Sequence, residues 1–215
     1  MNLIEKLING GWLKTPLIID AFRKIKRADF LPENLKDLAE ENEALPIGYE
    51  QTISQPLVVA FMLELLEPKR GEKILDVGAG SGWTSALLAE IVGEKGKVAA
   101  FEIIKELAEF GKNNVAKYGF VEKGIVDFIC ADGSEGYGKE APFDKILCSA
   151  AIFPKETEEN IEKSIPTVWK NQLKVFGKIV APVNFSIWKL EKSNEQRFIS
   201  KEYPGFSFVP LKNGK

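Results

Sequence analysis

Apolar residues recur at helical spacing through most of the first 66 residues. Side chains three and four positions apart share one face of a helix, so such stripes predict amphipathic helices. The stripes and their Pro signals place helices at residues 3–8, at 16–25 with Thr15 as the cap, after Pro32 through residues 35–38, and at 56–66. Residues 45–51 have the Pro, Gly and polar content that is typical of a loop. We therefore expect a helical extension over residues 1–66 that contains this loop.

From residue 73 onward, short β-branched and apolar runs alternate with helical stretches. Five runs predict strands, at residues 73–77, 97–102, 125–130, 143–148 and 178–182. Helices are expected between them, at residues 84–92, 105–118 and about 156–173. Such alternation produces βαβ units, in which a mostly parallel sheet is covered on both faces. The predicted fold class is α/β and Rossmann-like, with its core in residues 67–183.

The end of the chain has a different pattern. Three runs, at residues 185–190, 196–201 and 206–211, follow one another without helical stretches, which predicts antiparallel strands at the edge of the sheet. No internal repeat or Ser/Gly linker interrupts the chain. We therefore expect one domain over residues 1–215, with the edge strands in residues 184–215.

Charge and cysteine content limit the partners of the protein and its cellular setting. The formal net charge is -2 and no basic stripe is present, so neither nucleic acid nor an acidic membrane surface is expected as a partner. No apolar run reaches the ~20 residues of a membrane span, and the polar start is unlike a signal peptide. Cys130 and Cys148 lie in runs that predict buried strands, and two cysteines cannot form a disulfide framework. We expect a cytoplasmic protein.

The chain contains no histidine, which narrows the possible chemistry. Ser-His-Asp and Cys-His nucleophile systems, imidazole bases and histidine-bound zinc are all excluded. We expect no metal site. A reaction here has to use carboxylates, hydroxyls, lysines and backbone groups, or has to need no strong base.

A glycine-rich loop follows the first predicted strand. Asp76 ends that strand, and Gly78, Gly80 and Gly82 precede the next helix. Glycines at this position allow a tight turn and let a ligand approach main-chain N–H groups at a helix N-terminus. By itself the loop also fits dinucleotide enzymes, or a turn that binds nothing.

Three details favour S-adenosylmethionine as the ligand of this loop. Asp76 is expected to face the pocket, where its carboxylate would attract a sulfonium and an ammonium group and repel a pyrophosphate. The glycines recur at every second residue, whereas the dinucleotide pattern has a wider second interval. Glu102 ends the second strand, where a carboxylate can accept both hydroxyls of a ribose. Asp132 and Gly133 follow the third strand at the same edge, although either acid could also be solvated or an ordinary turn residue.

Residues 45–56, Leu-Pro-Ile-Gly-Tyr-Glu-Gln-Thr-Ile-Ser-Gln-Pro, resemble the substrate-side signature of the protein-L-isoaspartate O-methyltransferases. The resemblance extends along most of the chain. Its other pieces are residues 28–32, 76–82, 132–137, 141–144, 149–151, 172–174, 181–183 and 208–211. It implies the methyltransferase version of the Rossmann-like fold.

The resemblance also implies roles for individual residues. On the cofactor side it implies, together with the glycine loop, Ile47, Gly48, Tyr49, Glu50, Asp76, Gly78, Gly80, Gly82, Glu102, Ile103, Asp132 and Gly133. On the substrate side it implies Thr52, Ile53, Ser54, Ala150 and Val209. Ser54 would be the active-site hydroxyl, although its place before Gln55-Pro56 also fits a helix N-cap.

The activity that the resemblance implies suits a chain without histidine. It is transfer of a methyl group from S-adenosylmethionine to the free carboxylate of L-isoaspartyl residues in damaged proteins, which leaves S-adenosylhomocysteine. A carboxylate is already a nucleophile at neutral pH, so the reaction needs alignment rather than proton abstraction. The resemblance further implies a monomer and repair through a succinimide.

Two departures from the family pattern keep alternatives open. Glu50 stands where bacterial members usually have glycine, and residues 154–170 are longer and more charged than the family norm. The alternatives are a non-catalytic module that binds isoaspartyl peptides, and a methyltransferase with another acceptor.

Overall fold

The N-terminal third of the chain is built from helices and one hairpin. In a computed structural model, which describes residues 1–154 and 161–214, the helices are α1 (Leu3–Asn9), α2 (Pro16–Lys24) and α3 (Pro56–Leu66). Short 3₁₀ helices span Arg27–Phe30 and Glu33–Leu38. The four predicted helical segments are thereby confirmed. The segment at residues 35–38 is part of a 3₁₀ helix, and the other three are α-helices.

The predicted loop at residues 45–51 is wrong. Strands β1 (Leu45–Gly48) and β2 (Gln51–Ile53) pair as an antiparallel hairpin, with Leu45 opposite Ile53. Its two turn residues, Tyr49 and Glu50, both have positive φ, at 55° and 60°. Two-residue hairpin turns of this kind normally use Asn-Gly, so the sequence lacked the usual hairpin signal.

Thr15 occupies the N-cap position of α2, but its side chain does not cap the helix. Thr15 Oγ1 instead donates to Glu64 Oε2 at 2.7 Å, and the amides of Lys14 and Thr15 both donate to Glu64 Oε1 at 2.8 Å. The α3 carboxylate thus ties the start of α2 to α3.

The remaining elements form a seven-stranded sheet with helices on both faces. The strands are β3 (Lys73–Val77), β4 (Lys97–Glu102), β5 (Val126–Cys130), β6 (Phe143–Cys148), β7 (Leu173–Val183), β8 (Ser186–Asn194) and β9 (Arg197–Pro204). The helices are α4 (Trp83–Val92), α5 (Lys105–Ala116), α6 (Ile161–Ser164) and α7 (Thr167–Gln172). The strand order is β5-β4-β3-β6-β7-β8-β9, with β8 and β9 antiparallel and the others parallel. This confirms the predicted α/β class and its antiparallel edge.

Four predictions about the second half need correction. The helix expected at about 156–173 is two short helices, α6 and α7, divided near Pro166; residues 155–160 lie outside the described part. β7 starts five positions earlier than expected. Residues 206–211 form no strand, only an isolated parallel bridge between Pro210 and Ala151. Cys130 is exposed rather than buried, because β5 is the edge strand, whereas Cys148 is buried.

The sheet separates two hydrophobic clusters. One joins α1 to α5 with one face of the sheet, and Phe30, Leu63 and Leu87 are among its fully buried members. The other lies on the opposite face around Trp169 and Phe143. Within residues 1–154 and 161–214, no helix combines the length and apolarity needed to cross a membrane.

Candidate active site

A cleft opens at the carboxyl edge of the sheet. Its walls come from the β1–β2 hairpin, the glycine loop after β3, the ends of β4 and β6, and residues 209–212 near the C-terminus. Parallel strands that end together create such a crevice, since their connections leave in opposite directions on either side of it.

The glycine loop turns sharply from β3 into α4. Gly78, Gly80 and Gly82 have φ of 73°, 53° and 88°, a left-handed region that other residues enter only with strain. Gly78 and Gly80 line the cleft as expected, whereas Gly82 does not. A Cβ at Gly82 would lie 2.8 Å from the carbonyl oxygen of Gly111, so this glycine serves the packing of α5 against the loop.

The amides of the loop are engaged within the protein. The N–H groups of Gly78 and Ala79 both donate to the carbonyl oxygen of Phe101 at 2.9 Å, and that of Gly80 donates to Glu102 Oε2 at 2.9 Å. The glycine pattern predicts that a ligand approaches these N–H groups. Their internal bonds shape a concave surface but leave little donor capacity for an anion.

Asp76 does not face the cleft, contrary to the prediction. It is fully buried, and its Oδ2 accepts hydrogen bonds from Ser85 Oγ at 2.6 Å and Thr84 Oγ1 at 3.1 Å. Oδ1 is buried without a partner among the described residues. Burial, opposed by these two bonds, raises the pKa of Asp76 to about 6. The carboxyl group therefore anchors the start of α4 beneath the loop.

Glu102 is at the position predicted for it. It ends β4, lines the cleft beside Ile103 and is 6% exposed. Its Oε2 accepts from the Gly80 amide and its Oε1 from the Ile104 amide, both at 2.9 Å. Each carboxylate oxygen has a second lone pair, so Glu102 can hold the loop and still accept ligand hydroxyls.

Asp132 and Gly133 occupy different places. Gly133 lines the cleft, and a Cβ there would lie 2.7 Å from Val77 Cγ1. The Asp132 side chain lies behind it, accepting at 2.8 Å from the amides of Ser134 and Gly214. Asp132 thereby holds the end of the chain near the cleft instead of forming its wall.

The hairpin contributes Ile47 and its second strand to the cleft. Ile47, Thr52, Ile53 and the following Ser54 line it. Gly48, Tyr49 and Glu50, which we also expected there, are at the exposed tip of the turn, with Tyr49 53% exposed. The tip of the hairpin therefore lies outside the cleft lining.

Ser54 is not the cap of α3. The N-cap position belongs to Gln55, which makes no capping bond through its side chain. No hydrogen bond joins Ser54 Oγ to any residue that the structure describes, and Ser54 lines both the main cleft and an adjoining one. The two clefts also share Thr52, Ser149, Val209 and Pro210. An unpaired hydroxyl thus lies at their junction.

Ala150 and Val209 line the main cleft as predicted, and the structure adds residues that we did not select. Among the additions are Trp83, Ser149, Pro210, Leu211 and Lys212. The tail is held there by backbone bonds from Ala151 N to Val209 O and from Leu211 N to Ala151 O, both at 2.8 Å. Ser149 was detectable, since it adjoins Ala150 in the same motif.

Gly111 is a supporting residue whose role only the structure reveals. It lies within α5, where a Cβ would be 2.5 Å from the carbonyl oxygen of Gly80. A glycine inside a helical pattern was the one available signal. Across residues 1–154 and 161–214, no group of three or more His, Cys, Asp or Glu side chains is arranged to hold a metal ion.

Known proteins are similar to this chain in sequence and in architecture. The sequence profile of the protein-L-isoaspartate(D-aspartate) O-methyltransferase family matches residues 1–215. A protein-L-isoaspartate O-methyltransferase from Methanopyrus kandleri is 39% identical over 214 residues, 98% of this chain and 89% of that protein. One from Ignicoccus hospitalis is 40% identical over 215 residues, 98% of this chain and 95% of that protein.

Solved structures have the same fold. A Plasmodium falciparum chain, described as a protein-L-isoaspartate O-methyltransferase in complex with S-adenosyl-L-homocysteine, superposes with a TM-score of 0.83 at 20% identity over 100% of both chains. A second structure with the name protein-L-isoaspartate O-methyltransferase has a TM-score of 0.84 at 25% identity, over 98% of this chain and 65% of that one.

Proposed function

The chain belongs to the protein-L-isoaspartate(D-aspartate) O-methyltransferase family, and from this premise we propose how its cleft methylates the free carboxylate of L-isoaspartyl residues in damaged proteins. The methyl donor is S-adenosylmethionine and the product is S-adenosylhomocysteine. The observation that carries the proposal is the place of Ser54, whose hydroxyl has no hydrogen-bond partner among the described residues and which lines one cleft with the glycine loop and Glu102.

The cleft fits the methyl donor in shape and in polarity. Gly78, Gly80 and Gly133 present backbone where side chains would fill the space, and Glu102 offers a carboxylate at the end of β4. In the proposal, Glu102 accepts the ribose hydroxyls, Ile103 and Gly133 contact the adenine end, and Gly78 and Gly80 border the methionine part. Asp76 supports the loop from below rather than contacting the donor.

The acceptor side of the cleft is formed by Ser54, Thr52, Ile53, Ala150 and Val209. Ser54 Oγ would donate a hydrogen bond to the acceptor carboxylate and so fix the oxygen that attacks. When bound, the donor supplies a methyl group on a positively charged sulfur, which is already an activated electrophile. The residues of the chain then have to align the two partners and exclude water, which can account for much of the barrier reduction.

No strong base is required by this arrangement. The acceptor carboxylate is ionised at neutral pH. Within the described cleft, the Glu102 oxygens accept from the Gly80 and Ile104 amides, so this carboxylate holds the loop and the ligand hydroxyls rather than acting as a base. A carboxyl acceptor therefore suits this site better than a protonated amine or alcohol.

The direct test uses two peptides of one sequence, one with aspartate and one with isoaspartate. With radiolabelled donor, we expect base-labile methyl ester to form on the isoaspartyl peptide only. Equal labelling of both peptides, or of neither, would refute the proposed acceptor.

The same assay separates the non-catalytic alternative. A binding module would retain the isoaspartyl peptide in a titration but transfer no methyl group. Glu50 was the reason to consider such a module, and its exposed position outside the cleft removes that reason.

We further propose that the enzyme acts as a cytoplasmic monomer, as the family resemblance implies. Sedimentation equilibrium is expected to give the mass of one 23.9 kDa chain. A mass of twice that value would show a dimer.

A further inference from the structure

Arg27 places a charged guanidinium group in the interior beside the hairpin. The residue is 6% exposed. Its Nη1 donates to the carbonyl oxygens of Ala39 at 3.2 Å and Glu41 at 3.0 Å, and its Nη2 to those of Glu43 at 2.7 Å and Ser54 at 3.3 Å. A buried charge is expensive to maintain, so this arrangement needs a reason beyond stability.

The carbonyl partners lie on both sides of the β1–β2 hairpin. Glu43 comes two residues before β1, and Ser54 comes directly after β2. The same nitrogen, Nη2, bonds both, and thus closes the base of the hairpin. A planar guanidinium can reach four oxygens in fixed directions, which a lysine ammonium cannot match.

The guanidinium also contacts Trp83, a residue of the cleft wall. Its carbon lies 5.5 Å from the ring centroid of Trp83, in a cation–π arrangement. Trp83 begins α4 directly after the glycine loop and lines the cleft. Arg27 therefore joins the element that carries Ser54 to the helix that follows the loop.

The group is charged under physiological conditions. Burial lowers the pKa of Arg27 to about 10, with Glu40 acting in the opposite direction. At neutral pH all its donors therefore remain available. Nε is buried without a partner among the described residues, so the hydrogen bonds of the guanidinium to these residues are the four carbonyl bonds.

We infer that Arg27 is a positioning residue for methyl transfer, which holds Ser54 and the base of the hairpin in a fixed place relative to α4. Arg27 lines neither cleft and does not touch the reacting atoms. It acts through Ser54 and Trp83. The inference rests on the proposed function, because it assigns Ser54 to the acceptor carboxylate. Small displacements of an aligning group reduce turnover strongly even when binding is retained.

The test compares Arg27→Lys and Arg27→Ala with the wild type at a temperature well below all melting points. We expect Arg27→Lys to lower kcat for isoaspartyl peptide about tenfold to a hundredfold. The calorimetric affinity for S-adenosylhomocysteine should stay close to that of the wild type. Added guanidinium chloride should restore part of the turnover of Arg27→Ala, and sodium chloride at equal concentration should not.

Lys192→Met is the matched control. Lys192 is also a buried cation, 4% exposed, whose Nζ donates to the carbonyl oxygens of Leu173 at 3.0 Å and Lys170 at 3.3 Å. It lies in β8 and does not line either cleft. We expect this variant to lower the melting temperature and leave kcat unchanged.

The outcomes decide between roles. If Arg27→Lys has the kcat of the wild type, the inference is overturned. It is also overturned if Lys192→Met loses as much kcat as the Arg27 variants when its melting temperature falls by the same amount. If Arg27→Ala does not fold, the kcat of folded Arg27→Lys decides alone. A wild type that does not methylate isoaspartyl peptide overturns the proposed function and this inference together, whereas an active wild type with active Arg27 variants overturns only the inference.

Discussion

Ser54 is the residue on which the acceptor side depends. Its hydroxyl lies where the two clefts meet, and it does not cap α3. We therefore expect Ser54→Ala to lower kcat for isoaspartyl peptide while the melting temperature and cofactor affinity change little. Steady-state kinetics with calorimetry and a thermal melt measure all three. A drop in melting temperature with normal kcat would assign Ser54 a structural role.

Glu50 belongs to the hairpin turn and not to the cleft. Its φ of 60° is a strained value for any residue with a Cβ. We expect Glu50→Gly to raise the free energy of unfolding by up to about 1 kcal/mol, since relief of strain is partly offset by the greater freedom of glycine when unfolded. Glu50→Gln keeps the strain and should change nothing. Chemical denaturation measures both, and a lower Michaelis constant for isoaspartyl peptide in either variant would place the carboxylate beside the substrate.

Asp76 makes stability depend on pH in an unusual direction. Burial raises the pKa of its carboxyl group from 3.8 to about 6, so between these values the folded protein binds the proton that the unfolded chain has lost. The contribution of Asp76 to stability is thus present in acid, and declines as pH rises through about 6.

Asp76→Asn tests this direction. The amide can still accept from Ser85 and has no charge to desolvate. We expect the melting temperature of the variant to rise relative to that of the wild type between pH 5 and pH 7, by a difference worth about 1 kcal/mol. A difference that stays constant over this range would show that Asp76 does not titrate there.

Among the elements, α5 and the glycine loop are in close contact. Gly111 lets the helix approach within a distance at which any Cβ would collide with the carbonyl oxygen of Gly80 and the ring of Phe128. We expect Gly111→Ala to lower the free energy of unfolding by about 1–3 kcal/mol despite the better helix propensity of alanine, because it overpacks the contact. Cofactor affinity should fall with it, since Gly80 lines the cleft.

Gly138→Ala is the control for Gly111→Ala. The nearest atom to a Cβ at Gly138 is 3.9 Å away, and its φ is not positive. The free energy of unfolding and the cofactor affinity of Gly138→Ala, measured by denaturation and calorimetry, should therefore equal those of the wild type. If Gly111→Ala also changes neither the free energy of unfolding nor the cofactor affinity, α5 has room to move away from the loop.

At the scale of the whole molecule, the polar groups at the carboxyl edge of the sheet determine which cofactor binds. The amides of Gly78, Ala79 and Gly80 donate internally, and Glu102 adds a carboxylate beside them. A pyrophosphate would find few free donors and a negative charge. Calorimetry is expected to show binding of S-adenosylmethionine and none of NAD; binding of NAD alone would overturn the assignment.

The sequence by itself determined the α/β class, the ends of the central strands and the chemistry available to the chain. β3, β4 and β6 have the predicted bounds, because buried parallel strands are nearly continuous apolar runs; in addition, β3 ends before a glycine and β4 ends at an acid. Family resemblance likewise identified Ser54 and Glu102 at the cleft. These are local signals, in which the residue and its neighbours along the chain are enough.

Only the tertiary structure decided which face each side chain presents and what it contacts. Asp76 was predicted to be a cofactor ligand because it lies at the end of a strand, but the pleat turns it beneath α4 toward Ser85. The run at residues 206–211 resembled a strand, yet in the fold it bridges only Ala151 and lines the cleft. Arg27 gave no local sign of bonding to Ser54, 27 positions away. Such contacts depend on packing between distant segments, and spacing along one chain does not contain that information.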